Sequence, residues 1–230
     1  MISDLNLSKT TESIKAKKLE RKPTEEIIIG KDILELLSNA MYVEPLTIYR
    51  EYLQNSADSF DEAVKCGLFE NQEQGRVDIK IDPINRNVRI IDNGVGLSKK
   101  DFEKRMTAFG ASKKRDTDAR GFRGVGRLAG IAYCRELIFR TKLKEESEVL
   151  QLKWDCKVLK SILLDSKHKG SLSDVVKDVV SISSITAENY PEHFFEVEMK
   201  SIVKHKKDNL LDPDTIDHYI AQVAPVPFSP

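Results

Sequence analysis

A short glycine-containing stretch near the middle of the chain has the residue types and spacing that could bind a nucleotide base. Its residues, Asp92-Asn93-Gly94-Val95-Gly96, follow a pattern typical of two paired strands. A carboxylate at the end of a buried strand can accept a hydrogen bond from an exocyclic amine, and glycines after it let the backbone and a flat ring approach closely. This combination indicates a pocket that favours adenine.

A second polar group lies on a predicted helix that begins near Pro45, since proline suits the first helical turn. Glu51, Asn55 and Asp58 are spaced by four and three residues, so their side chains point from one side of the helix. Taken alone, such a stripe is typical of a solvated face, and its combination with the Asp92 stretch favours a site. The apolar stripe that should face the core contains Leu46, Tyr49, Leu53, Ala57, Phe60 and Val64.

The segment from Gly110 to Gly126 is rich in glycine and charge, which predicts a mobile lid. Gly121, Gly124 and Gly126 come just before Leu128, where a helix can start. Glycines that open a helix turn backbone N–H groups and the positive end of the helix dipole toward phosphate. The Walker pattern is missing, and no strand directly precedes these glycines as a dinucleotide fingerprint requires. A triphosphate would therefore be held by this lid in another way.

Composition and charge limit the classes of protein to which the chain can belong. The chain has 230 residues, of which 40% are hydrophobic, enough for one domain with or without a small appendage. Its formal net charge is zero, so nothing global indicates a nucleic-acid partner. No apolar stretch approaches the roughly 20 residues that span a bilayer. The odd cysteine count, with Cys66, Cys134 and Cys156 far apart in sequence, suits neither a disulfide framework nor a zinc site. We expect a soluble, cytoplasmic protein.

The pattern along the chain predicts a polar, lysine-rich arm over residues 1–26 and one domain over residues 27–230. Because the chain ends on a proline-rich stretch, we expect this domain to be the N-terminal part of a longer protein. Alternating apolar residues predict a hairpin ending at Asp92, and Ser98 with Asp101 resembles a capping box. Further predicted elements are helices at Lys31–Met41, Ser98–Ala108 and Leu128–Cys134, strands at Glu136–Leu143, Val149–Trp154 and Phe194–Ile202, and a last helix from Asp212-Pro213.

Three motifs together resemble the GHKL ATPases, the family of gyrase, the ninety-kilodalton heat-shock chaperone, histidine kinases and MutL. The N-box of that family is similar to Glu51-Tyr-Leu-Gln-Asn55-Ser-Ala-Asp58, its adenine motif to Asp92-Asn-Gly-Val-Gly96, and its lid motif to Gly121-Phe-Arg-Gly-Val-Gly126. All three stand in family order, and Ala111-Ser112-Lys113 before the lid motif is especially like MutL and MORC proteins. The resemblance implies the Bergerat fold, an α/β two-layer sandwich whose mixed, mainly antiparallel sheet is covered by helices on one face.

The resemblance also implies roles for individual residues. Glu51 would be the general base that polarises the attacking water, and Asn55 would hold Mg²⁺ between the phosphates of ATP. Asp92 would read the adenine amine, while Gly94 and Gly96 would let the ring and its ordered water approach. The other nucleotide-binding positions that the resemblance implies are Asp58 on the helix and Ser112, Lys113, Gly121, Gly124, Val125 and Gly126 in the lid.

The resemblance further implies a nucleotide-driven switch of a chaperone-like, MutL-like or MORC-like machine. ATP binding would order the lid and promote homodimer closure, and hydrolysis would release it. Two alternatives stay open: the catalytic domain of a histidine kinase, and a scaffold that senses nucleotide without hydrolysing it. Many family members take a phosphate-binding lysine from a following domain, so we expect slow turnover by this chain alone.

One departure from the family pattern lies before the last predicted strand. The family often has a Gly-Thr pair there that contacts the adenine-reading aspartate, whereas this chain has Pro191-Glu-His193-Phe-Phe195. Thr186 is a distant substitute in sequence. The four histidines show neither metal-ligand spacing nor a partnered nucleophile, which favours surface or core positions for all of them.

Overall fold

The computed structural model describes residues 44–107, 126–165, 171–204 and 207–224. The arm at residues 1–26, the helix at Lys31–Met41 and the lid up to Val125 lie outside the described residues. The helices are α1 (Thr47–Lys65), α2 (Lys99–Thr107), α3 (Cys156–Leu164), α4 (Leu172–Val179) and α5 (Pro213–Val223), with 3-10 helices at Gln72–Gln74, Gly126–Ala132 and Asn209–Leu211. The strands are β1 (Val77–Asp82), β2 (Asn87–Asp92), β3 (Glu136–Lys142), β4 (Glu148–Asp155), β5 (Val180–Thr186) and β6 (Phe194–Lys200).

The six strands form one sheet in the order β1-β2-β6-β3-β4-β5, and every described pair is antiparallel. In β2 the buried positions alternate with half-buried ones, so Val88, Ile90 and Asp92 all point to the helix side. One apolar cluster joins that side of the sheet to the helices. The predicted two-layer α/β sandwich is confirmed, with a sheet that is antiparallel rather than mixed.

Helix α1 lies across this core and carries the predicted polar stripe. The turn at Pro45 precedes its first residue, and five residues of the predicted apolar stripe are buried, with Val64 half-buried. Gly67, with φ of +76°, follows the helix and donates its N–H to the Val64 carbonyl at 3.1 Å. A residue in this left-handed conformation is a common way to end a helix, and glycine adopts it without strain.

The second half of the chain differs from the sequence expectation. The strands predicted at Glu136, Val149 and Phe194 are present, but α3, α4 and β5 were not predicted. Helix α4 does carry a capping box, in which the Ser171 and Asp174 side chains accept from each other's backbone N–H. Strand β5 lies at the sheet edge and is mostly exposed, so it lacks the alternation that reveals a half-buried strand. The helix predicted over Leu128–Cys134 is present as a 3-10 helix that begins and ends two residues earlier, at Gly126–Ala132.

None of the helices within the described ranges is both long enough and apolar enough to cross a membrane.

The sheet face opposite the helices is held by ion pairs across its central strands. Glu196 in β6 is fully buried and pairs with Arg89 on β2 and with Arg140 on β3, whose Nη1 lies 2.5 Å from Glu196 Oε1. Arg140 also contacts Glu198 at 2.7 Å. The Arg89 guanidinium lies over the ring of Tyr190 at 5.7 Å. A buried carboxylate therefore joins three strands.

We predict that Glu196→Gln destabilises the fold, because the substitution keeps the shape but removes the charge between two arginines. Breaking a buried pair costs about 3 to 5 kcal/mol, and we expect about 3 kcal/mol from the midpoint of urea unfolding. Glu136→Gln is the control, because Glu136 forms a surface ion pair with Lys153 at 3.4 Å and both side chains are more than a third exposed. The control should lose at most about 1 kcal/mol. Equal small losses in both variants would contradict a structural role for Glu196.

Candidate functional site

The predicted hairpin carboxylate and the predicted polar helix meet directly. Asp92 ends β2 with 5% of its surface exposed, and its Oδ2 accepts a hydrogen bond from Ser56 Oγ at 3.0 Å. Ser56 follows Asn55 on α1 and is also buried. A buried charge requires such partners, because leaving it without hydrogen bonds costs several kcal/mol. The Asp92 motif and the helix motif are thus joined at one point.

Asp92 is poised to act as an acceptor. Its Oδ1 accepts a hydrogen bond from the Gly94 N–H at 2.9 Å. Burial raises the pKa of Asp92 to about 6, while hydrogen bonds from Gly94, Ser56 and the Phe195 backbone act in the opposite direction. The carboxylate is therefore ionised at neutral pH. Each ionised oxygen can accept more than one hydrogen bond, which suits an exocyclic amine.

The glycines after Asp92 are required by the packing of their own loop. A Cβ on Gly94 would collide with Ser59 Oγ on α1, and a Cβ on Gly96, with φ of +73°, would collide with the Lys142 carbonyl. The loop is tied to β3 by Thr141, whose Oγ1 accepts from the Leu97 N–H at 2.8 Å. The role of both glycines toward the ring and its water stays a prediction.

Glu51 lies half-buried on α1, with 21% of its side chain exposed. Its Oε1 accepts a hydrogen bond from Arg50 Nη2 at 3.1 Å. A Cβ on Gly126 would collide with Glu51 Oε2, so the end of the lid motif lies directly against the carboxylate. The end of the third motif therefore contacts the same helix as the Asp92 loop does, at a position five residues before Ser56.

Asn55 and Asp58 are both half-buried on α1. The Asn55 amide oxygen and the carboxylates beside it are the hard oxygen donors that Mg²⁺ prefers. Within the described part of the chain, no three or more His, Cys, Asp or Glu side chains gather as a metal site. This donor set fits a Mg²⁺ ion that takes most of its ligands from phosphates and water, as this ion commonly does.

The remaining predicted site residues cannot be placed. Ser112, Lys113, Gly121, Gly124 and Val125 lie outside the described residues, and their roles stay predictions.

Several residues that shape the site were not singled out by the sequence. Ser56 and Ser59 belong to the N-box helix and escaped notice because they do not match the spacing of the polar stripe. Thr141 lies on β3 and His193 directly precedes β6, and His193 Nδ1 lies 2.9 Å from the Gly94 carbonyl oxygen. The signal for His193 was its place before β6, where the family pattern has its Gly-Thr pair. Thr186 ends β5, which forms the opposite edge of the sheet from β1 and β2. It therefore cannot replace the family's Gly-Thr pair beside Asp92.

The chain is similar to bacterial chaperones named HtpG. It is 23% identical over 203 residues to the Chaperone protein HtpG of Clostridium botulinum (strain Loch Maree / Type A3), covering 82% of this chain and 32% of that protein. It is 23% identical over 200 residues to HtpG of Clostridium acetobutylicum, covering 80% and 31%. For HtpG of Natranaerobius thermophilus the identity is 22% over 205 residues, covering 81% and 32%. The chain thus spans about a third of the length of these relatives.

Residues 44–179 match the family described as histidine kinase-, DNA gyrase B-, and HSP90-like ATPase. The match covers more than half of the chain and includes α1, the Asp92 loop and Gly126. The fold and the order of the motifs agree with it. The chain therefore belongs to the family of histidine kinase-, DNA gyrase B- and HSP90-like ATPases.

Proposed function

We propose that this chain is an ATP-binding module that hydrolyses ATP slowly with Mg²⁺. The observation that carries the proposal is the convergence of three motifs on α1, where Asp92 contacts Ser56, Gly94 packs on Ser59, and Gly126 packs on Glu51. Membership of an ATPase family supports ATP as the nucleotide.

Adenine recognition is assigned to Asp92. Its carboxylate is ionised at neutral pH and accepts a hydrogen bond from the exocyclic amine of adenine. Guanine carries a carbonyl oxygen at the corresponding position, and that oxygen would meet a carboxylate with no proton to donate. A buried acceptor that is left facing another acceptor costs about 1 to 3 kcal/mol, which is the physical basis for selecting adenine.

Hydrolysis is assigned to Glu51 as the general base. A water molecule held by Glu51 Oε2 gives its proton to the carboxylate as its oxygen attacks the terminal phosphorus, and the bond to the bridging oxygen of ADP breaks. Arg50 holds Oε1 and so fixes the carboxylate plane. Asn55 would hold Mg²⁺, which when bound neutralises charge on the phosphates. Such phosphoryl transfer depends mainly on positioning and electrostatic stabilisation.

The lid would complete the phosphate site. Backbone N–H groups at Gly121, Gly124 and Val125 would face the phosphates, with Ser112 and Lys113 reaching them by their side chains. Asp58 supports the helix side of the pocket. The order of these residues relative to Gly126 supports this assignment, because Gly126 already lies against Glu51.

The biological role that we propose is a conformational switch within a longer protein. Binding of ATP would order the lid and favour a homodimer, and hydrolysis would reverse both changes. The similarity to HtpG supports a chaperone-like machine rather than a histidine kinase. Transfer of labelled phosphate to protein would favour the kinase, and binding without phosphate release would favour a scaffold.

The principal test is Glu51→Ala. Loss of a general base lowers a rate by about 10² to 10⁴-fold, so phosphate release should fall at least about 100-fold. Calorimetry with ATP and Mg²⁺ should give a Kd within about twofold of the wild type, because the base acts on water and not on adenine. Glu62→Gln, at an exposed position of the same helix, is the matched control and should leave both quantities unchanged. An unchanged rate in Glu51→Ala would contradict the assignment.

Nucleotide affinity should depend on pH through Asp92. Only the ionised carboxylate accepts from the amine, and its pKa is raised to about 6. Affinity should therefore be highest above pH 7 and fall by about tenfold per unit once the pH is below 6. Calorimetry from pH 5 to pH 8 measures this directly. Asp92→Asn should bind ATP weakly, and its affinity should not show the same dependence. A wild-type affinity that is flat over this range would contradict the role of Asp92.

The isolated chain should turn over slowly. Enzymes commonly reach a kcat of about 1 to 10³ per second, and we expect this chain to stay below about 1 per second. The reason is that this chain spans about a third of its relatives' length, and the resemblance to the family implies a phosphate-binding lysine from a following domain. Steady-state phosphate release by the purified 230-residue chain measures this. Turnover in the common enzyme range would contradict it.

A further inference from the structure

His193 sits at the back of the loop that carries the adenine-reading aspartate. It is the residue immediately before β6, and its Nδ1 lies 2.9 Å from the Gly94 carbonyl oxygen. A carbonyl oxygen can only accept, so the imidazole must carry its proton on Nδ1 and donate it. Its partner is 99 positions away in sequence, so the contact exists only in the folded sheet.

This hydrogen bond completes a set of constraints on Gly94. The Gly94 N–H donates to Asp92 Oδ1 at 2.9 Å, its Cα packs against Ser59, and its carbonyl accepts from His193. The two backbone polar groups of Gly94 are therefore both used, one on the aspartate and one on the imidazole. The N–H and the carbonyl belong to the two peptide planes that meet at the Gly94 Cα. A bond that fixes the carbonyl therefore restricts the backbone next to the N–H that donates to Asp92.

The imidazole is itself held by an apolar contact. The centre of its ring lies 6.3 Å from that of Phe69, which is buried and lies 6.2 Å from Phe60 of α1. His193 thus connects the start of β6, the Asp92 loop and the helix. A half-buried side chain fixed in this way loses little additional freedom when it donates its hydrogen bond.

His193 also acts on the charge of Asp92. The carboxylate accepts hydrogen bonds from the Ser56 hydroxyl of α1 and from the backbone of Gly94 and Phe195, and it interacts electrostatically with the His193 imidazole. Burial raises the pKa of Asp92, and the hydrogen bonds from Gly94, Ser56 and the Phe195 backbone lower it, with a smaller electrostatic contribution from His193 in the same direction as the hydrogen bonds. The histidine therefore supports the form of Asp92 that accepts a hydrogen bond.

We propose that His193 is a positioning residue of the base pocket, which sets the affinity and selectivity for adenine through Gly94 and Asp92. The inference rests on the proposed function, because it deepens the recognition of the base. A positioning role for His193 differs from a purely structural role in one respect, because its effect on affinity should be confined to ligands that carry an adenine. The triphosphate part of the ligand should be unaffected.

The test compares His193→Ala with His193→Asn in the full chain. An asparagine can place its amide N–H near the position of Nδ1, whereas alanine has no donor. Calorimetry would be done with ATP, with GTP and with inorganic tripolyphosphate. A hydrogen bond contributes about 0.5 to 1.5 kcal/mol, so His193→Ala should weaken ATP binding by about three- to tenfold. In His193→Ala, the pH below which ATP affinity falls should also be higher than in the wild type. His193→Asn should bind ATP within about twofold of the wild type.

Three controls separate the possible outcomes. Tripolyphosphate affinity should be equal in all forms, and His218→Ala, at an exposed position of α5, should behave as the wild type. Urea unfolding checks that each variant is folded. The inference is overturned if His193→Ala binds ATP as the wild type does, or if it loses ATP and tripolyphosphate alike. A wild-type chain that binds no ATP overturns the proposed function itself, and the role of His193 with it.

Discussion

The buried carboxylate of Asp92 is the constraint on which the arrangement of the site depends. An ionised group in the interior is unfavourable unless hydrogen bonds replace its lost water, and here a helix hydroxyl and a loop N–H provide them. Those partners come from α1 and from the loop that follows β2. The same bonds that compensate the charge therefore also place the polar stripe of α1 beside the loop that follows β2.

Strand β6 has side chains with different roles on the two faces of the sheet. Its register therefore affects both the stability of the fold and the geometry of the site. Phe195, Val197 and Met199 face the helices, whereas Glu196 and Glu198 form ion pairs on the opposite face. Because side chains alternate along a strand, a shift by one residue would exchange the two sets. The ion pairs thus help to hold β6 where its first residues can support the Asp92 loop. Stability on one face and geometry on the other depend on one register.

Family membership and local chemistry lead to the same site by separate routes. The similarity to HtpG is low in identity but covers most of this chain. The glycines of the Asp92 loop are also required by packing, since a Cβ on Gly94 would collide with the Ser59 side chain and a Cβ on Gly96 with the Lys142 backbone carbonyl. His193 has no such precedent in the motif and reaches the site through the sheet. The family pattern and the specific features of this chain therefore meet in one loop.

The sequence by itself determined the class of fold, helix α1 with its polar stripe, the hairpin ending at Asp92 and the order of the motifs. These features depend on local periodicity and turn chemistry, which act over a few residues. It did not reveal α3, α4 or the edge strand β5, whose patterns are short or lack alternation. Only the tertiary structure decided that Ser56 and His193 belong to the site, because both contacts join residues far apart in the chain. Such contacts depend on strand order and register, which no local pattern encodes.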